Sequence, residues 1–155
     1  MKSGYTVSRE GFDATYNELD RLYREHYTEM CERLETIGVH LSPYNPRLKD
    51  YSEASRLGSL ITFVLRYNGV AVGHSNIYLA NDMHNNELNA HEDTIYVTPG
   101  HRNGVGREFI KAIIEHLRSM GIRRWYAASV TDMRVAKLWN RMGFKHHAEQ
   151  MVYHF

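Results

Sequence analysis

The chain has 155 residues, 43% hydrophobic and 24% charged, which is ordinary globular composition and enough length for one domain (residues 1–155) with its own core. Nineteen basic against eighteen acidic residues leave a formal charge of +1, so the surface as a whole carries no nucleic-acid or membrane footprint. A single cysteine, Cys31, excludes an internal disulfide and a Cys-rich metal site, and without an apolar leader or a membrane-length run the chain reads as cytoplasmic.

Tyr5 to Val7 reads as a short first strand, with Ser8 or Asp13 as the cap of the helix that follows. Phe12, Tyr16, Leu19, Tyr23, Tyr27, Met30, Leu34 and Ile37 recur at spacings of three and four, one face of a long helix that stops at Gly38. Its tyrosines are suited to packing, while Tyr23, His26 and Tyr27 together are suited to lining a cleft. Val39 to Pro46 is a loop, and Pro46 opens a short helix to about Leu57.

Leu60 to Tyr67 is a strand, Asn68-Gly69 a hairpin turn, and Val70 to Leu79 the returning strand. Gly73 inside that strand predicts a bulge or a close backbone approach. Leu88 to Val97 completes an antiparallel meander. A loop with Gly104 and Gly106 leads into a helix whose apolar face runs from Val105 through Phe109, Ile113 and Leu117 to Met120. Arg124 to Val130 is the next strand, Met133 to Met142 a helix with Asp132 as its cap, and Phe144 to Phe155 a final strand pair. This order, β-α-α-β-β-β-α-β-α-β-β, implies a mixed α/β sheet.

The strand–loop–helix unit from Glu92 to Met120 is the chemical centre of this reading. A helix N-terminus offers unpaired N–H groups and partial positive charge, and glycine lets a ligand approach the backbone. With His101, Arg102 and Arg107 in or beside the loop, the unit reads as a phosphate- or pyrophosphate-binding turn. It is not a P-loop, because no Gly-Lys-Ser/Thr follows, and not a dinucleotide fingerprint, because GxGxxG is absent and three antiparallel strands precede it. His84, His91 and His101 lack ligand spacing, and neighbours His146 and His147 point to opposite faces of a strand, so no metal is expected.

Four segments in order resemble the GNAT family of N-acetyltransferases: NGVAVGHSNIYL (68–79), DTIYVTPGHRNGVGREFI (93–110), MGIRRWYAASV (120–130) and KLWNRMGFK (137–145). The wording IYVTPGHRNGVGR also resembles phage-encoded members. The resemblance implies an α/β fold with a mainly antiparallel central sheet flanked by helices. It implies acetyl-CoA as acyl donor, direct transfer to a small-molecule or peptide amine, and a homodimer as one known assembly. In register, His101 takes the place where the family usually has Gln or Arg, with Gly104 and Gly106 as the loop glycines; starting the loop at Arg102, one residue shorter, is the alternative. The implied cofactor contacts are Ile95, Tyr96 and Val97 on the strand and His101, Arg102, Asn103, Gly104, Val105, Gly106 and Arg107 in the loop. Asp132 stands where members often contact CoA, with helix capping as the other reading; Trp139 would lie along the pantetheine arm or pack in the core.

Members often carry a tyrosine four residues before the Gly-Phe turn, taken to protonate the CoA thiolate; here that residue is Trp139, and an indole is no acid. Glu92 is the preferred general base, sharing strand parity with Thr94 and Tyr96 unless a bulge intervenes; Asp93 is second and His91 third. The rival reading is a non-catalytic CoA-binding or structural protein on the same fold.

Overall fold

A computed structural model describes residues 1–129 and 132–155. The elements are β1 (Tyr5–Glu10), α1 (Phe12–Glu35), α2 (Leu48–Leu57), β2 (Leu60–Tyr67), β3 (Val70–Asn81), β4 (Leu88–Val97), α3 (Val105–Ser119), β5 (Arg124–Tyr126) and α4 (Met133–Arg141), with one 3-10 turn at Pro99–His101. The five strands form one sheet in sequence order, antiparallel from β1 to β4 and parallel between β4 and β5.

Both faces of this sheet are covered, which explains the nearly unbroken apolar run of β2. Ile61, Phe63 and Leu65 point to one face and meet Val105, Phe109, Ile113 and Leu117 of α3. Leu60 and Val64 point to the other and meet Phe12, Leu19, Leu22 and Tyr23 of α1. Each such fully buried side chain contributes about 1.5–3 kcal/mol.

The expected caps of α1 are not used. Gly11 occupies the N-cap without a side-chain bond. Ser8 donates to Glu10 instead, and the Phe12 N–H is satisfied from outside the helix, by Ser55 Oγ of α2 at 3.2 Å. Asp13 sits in the first turn and accepts from Ser52 of α2. Two helices are thus fastened where the sequence suggested a self-contained helix start.

Gly73 fulfils both readings of its position. The β2–β3 register slips by one residue between Leu65 and Arg66, and a Cβ on Gly73 would lie 2.6 Å from the Tyr96 carbonyl oxygen of β4. Gly73→Ala is therefore expected to cost about 1–3 kcal/mol through displacement of β4, read as a lower thermal midpoint.

The C-terminal region departs from the expected order. β5 ends at Tyr126 rather than Val130, which itself lies outside the described residues, and residues 144–155 form no strands. The physical reason is the short edge. Only Asn89, Ala90 and His91 pair with β5, so β5 offers three residues of ladder for a further strand to extend.

Candidate active site

β4 is the strand on which the site is built. Beyond the His91–Tyr126 pair it no longer bonds to β5, so the two parallel strands part and, among the described residues, no strand pairs with that edge of β4 from Glu92 onward. At the same place the β3–β4 register slips: Asn76 faces Thr94 and Ile77 faces Glu92, leaving Asp93 as the extra residue of a bulge. The Asn76 N–H, displaced from the ladder, donates to Thr94 Oγ1 at 3.2 Å.

The bulge corrects the expected parity. Ala90 packs towards α3, as do Ile95 and Val97, while Tyr96 packs towards α1. Glu92 therefore does not share a face with Thr94 and Tyr96. Its carboxylate enters the gap beside β5 and accepts from the Ala128 N–H at 2.7 Å. Asp93 turns instead to the α1–α2 side, where Tyr51 of α2 donates to its Oδ2 at 2.7 Å. The signal was present in the chain: apolar positions on the α3 face switch from even (Ala90) to odd (Ile95, Val97), which only an inserted residue allows.

Burial raises the Glu92 carboxyl to about 7, partly opposed by its bond to Ala128 N–H. Asp93 is also raised by desolvation, against the Tyr51 hydrogen bond. Two adjacent carboxyls thus sit on opposite sides of one strand, both easier to protonate than usual. His91 lies in the paired part of β4, its ring stacked on Tyr126, and does not line the cavity described below.

The loop after β4 has free donors where an anion would sit. Gly104 adopts φ +94° and starts α3. Among the described residues, the N–H groups of Asn103, Gly104, Val105 and Gly106 find no backbone carbonyl, whereas those of His101, Arg102 and Arg107 do. A Cβ on Gly106 would meet nothing within 4 Å, so packing does not require glycine there.

The basic residues divide. Arg107 is exposed at the loop. Arg102, expected to face the anion, turns the other way: its guanidinium donates to the Val97 carbonyl at 2.7 Å, forks onto both Glu29 oxygens of α1, and lies over the Tyr96 ring. It holds α1 to the end of β4. His101 bonds through Nδ1 to the Tyr5 hydroxyl at 2.8 Å, towards β1. Sequence reading missed Lys2, whose ammonium donates to the Asn103 carbonyl and whose backbone N–H donates to Glu108 at 2.6 Å. Ile95, Tyr96 and Val97 have their side chains committed to the two cores, so only their main chain is available to a ligand.

Asp132 caps α4 through the Arg134 N–H at 2.9 Å and pairs with Arg33 of α1 at 3.4 Å. Trp139 is 6% exposed, packs on Trp125 and Phe144, and donates its indole N–H to the Ala128 carbonyl at 2.9 Å. Trp139 and Glu92 therefore hold residue Ala128 from its two ends.

On the α1–α2 side lies a cavity of about 640 Å³, with Tyr23, His26 and Tyr27 in its wall as expected, and Asn76, Asp93 and Thr94 at its β-sheet end. The Ser42–Arg47 part of the loop before α2 lines it too. Another cavity, of about 540 Å³ between α1 and α2, includes no residue of β4 and lies off this path. No group of three His, Cys, Asp or Glu side chains suited to a metal occurs among the described residues. No helix there is long and apolar enough to cross a membrane.

Residues 13–144 match the acetyltransferase (GNAT) family. The chain belongs to that family. Its GNAT fold is a five-stranded, mostly antiparallel sheet flanked by four helices. Solved structures agree in fold. An aminoglycoside acetyltransferase, meta-AAC0020, from an uncultured soil metagenomic sample has a TM-score of 0.72 at 16% identity, covering 99% of this chain and 95% of that one. AAC(6')-Iy, solved with a CoA-containing bisubstrate analogue, has a TM-score of 0.70 at 18% identity, covering 99% of both chains. A predicted acetyltransferase from Clostridium acetobutylicum, solved with acetyl-CoA, has a TM-score of 0.71 at 10% identity, covering 97% and 96%. No curated protein sequence matches this GNAT chain.

Proposed function

We propose that this GNAT protein transfers an acetyl group from acetyl-CoA to an amine. The observation that carries the reading is the bulge at the parting of β4 and β5. It sets an open main-chain edge between two carboxyls, with the donor loop at one end and the cavity on one side. The fit to CoA rests on the unpaired N–H groups from Asn103 to Gly106 and the empty space over Gly106. Arg107 adds charge there. Bound along this edge, acetyl-CoA supplies an activated acetyl thioester.

The residues divide the proton work. Asp93 lines the cavity, so it attracts the acceptor ammonium and takes its proton. A main-chain N–H near Val97 on the open edge stabilises negative charge on the attacked carbonyl oxygen. Glu92 lies in the gap and, with its carboxyl raised to about 7, holds a proton near neutral pH. That proton goes to the leaving thiolate, the task Trp139 cannot perform because an indole is no acid; its N–H is instead bound to the Ala128 carbonyl.

The same tryptophan favours the second reading, a CoA-binding protein without turnover. Calorimetry with acetyl-CoA and CoA comes first; absence of binding at millimolar cofactor removes both readings. Release of free CoA thiol with a panel of amines, amino acids and polyamines then separates them. Turnover with any of these selects the enzyme, and tight binding with silence across the panel selects the alternative.

A further inference from the structure

We propose that the acceptor is a singly charged primary amine on an apolar or aromatic body, seated in the tyrosine-lined cavity with its nitrogen at Asp93. This deepens the acetyl-transfer reading and rests on it.

The first ground is the lining. Tyr16, Tyr23, Tyr27, Tyr44, Tyr51 and Tyr78 surround the cavity together with Phe12. Their hydroxyls are largely engaged within the protein. Tyr27 donates to the Ser42 carbonyl at 2.6 Å, Tyr16 to Asp20 at 2.8 Å, and Tyr51 to Asp93 at 2.7 Å. Tyr23 is bound to Asn76. Phe12 and Tyr51 stack at 5.1 Å. What remains for a guest is ring surface, which takes apolar groups and attracts cations over its faces.

The second ground is the charge inventory. Three charged residues line the cavity: Arg47, Asp50 and Asp93. Arg47 and Asp50 pair with each other. His26 in the wall stays neutral, held down to about 4 mainly by burial. One uncompensated carboxylate is left, and it marks the end next to the bulge. A polycation such as an aminoglycoside needs several carboxylates to replace the water around its ammonium groups. This cavity supplies one. Its volume of about 640 Å³ suits a small organic guest.

The test measures binding of 2-phenylethylamine, 2-phenylethanol and spermidine to the full chain by calorimetry, with and without CoA. Thiol release from acetyl-CoA follows with the same two amines. 2-Phenylethylamine is expected to bind at least about tenfold more tightly than either the alcohol or spermidine. Asp93→Asn is expected to abolish the advantage over the alcohol while leaving the alcohol's own affinity in place. That pattern is not produced by a general loss of structure. Spermidine binding as well as, or better than, 2-phenylethylamine overturns the inference and leaves acetyl transfer intact. So does an Asp93→Asn protein that keeps the amine preference. Amine preference without any CoA binding overturns the acetyl-transfer reading while the assignment of the cavity stands.

Discussion

Replacing Glu92 with glutamine is expected to lower kcat for thiol release by about 10²-fold or more, the usual scale of a lost general acid or base. The pH dependence gives the sign. A carboxyl with its midpoint near 7 that donates a proton loses activity as pH rises through 7; one that accepts a proton loses activity as pH falls through 7. Acting as the acid, Glu92 gives the wild-type kcat profile an alkaline limb near 7 that Glu92→Gln lacks. An acidic limb at that pH, removed by the same substitution, would return Glu92 to the role of base.

Stability moves the other way. The folded pKa of Glu92 lies above its unfolded value, so the fold favours the protonated form. Its contribution is most favourable below about pH 4.5 and declines as pH rises towards 7, by about 2–3 kcal/mol in all. Above that pH, Glu92→Gln is expected to raise the thermal midpoint of the ligand-free protein by about 4–8 °C. At pH 5 most of the gain should vanish. A variant slower yet more stable at pH 8 would show that the half-buried charge is maintained for chemistry.

Gly104→Val is expected to weaken acetyl-CoA and CoA binding by about 10–100-fold in calorimetry. Two costs combine. Gly104 adopts φ +94°, which strains a β-branched residue by about 1–2 kcal/mol. The new side chain also stands where Lys2 and the free N–H groups converge, since a Cβ at Gly104 would lie 3.6 Å from the Lys2 ammonium nitrogen. Unchanged affinity would mean that the anion sits elsewhere. Circular dichroism before titration separates lost binding from lost folding.

The fold was largely legible because its signals are local. β2 and β4 have the boundaries expected from the sequence, β2 from its run of β-branched and aromatic residues. Asn68 and Gly69 both adopt positive φ, as the hairpin turn demands. The apolar period of α3 names the residues that enter the core. What escaped depends on partners distant in the chain. Arg102 reads as a loop cation until Glu29, 73 residues earlier, is seen to hold it. The cap of Phe12 comes from Ser55. The strands expected after Phe144 required a longer β5 edge, which no local pattern reports. The bulge lies between these cases. Its residues, Glu92, Asp93 and Thr94, carry no glycine to mark it, and only the change of apolar parity between Ala90 and Ile95 records it.

The one-residue insertion at Asp93 has a consequence for how such a site changes over time. Strand positions normally mutate one at a time, each substitution altering one face. Here two successive codons serve two separate compartments, Glu92 the gap beside β5 and Asp93 the aromatic cavity. Point substitutions at either position can retune one compartment while sparing the other. Deletion of a single codon acts on both, because closing the register exchanges the faces of every residue on one side of the break. For this strand, reading frame within the ladder is as heritable a trait as side-chain identity.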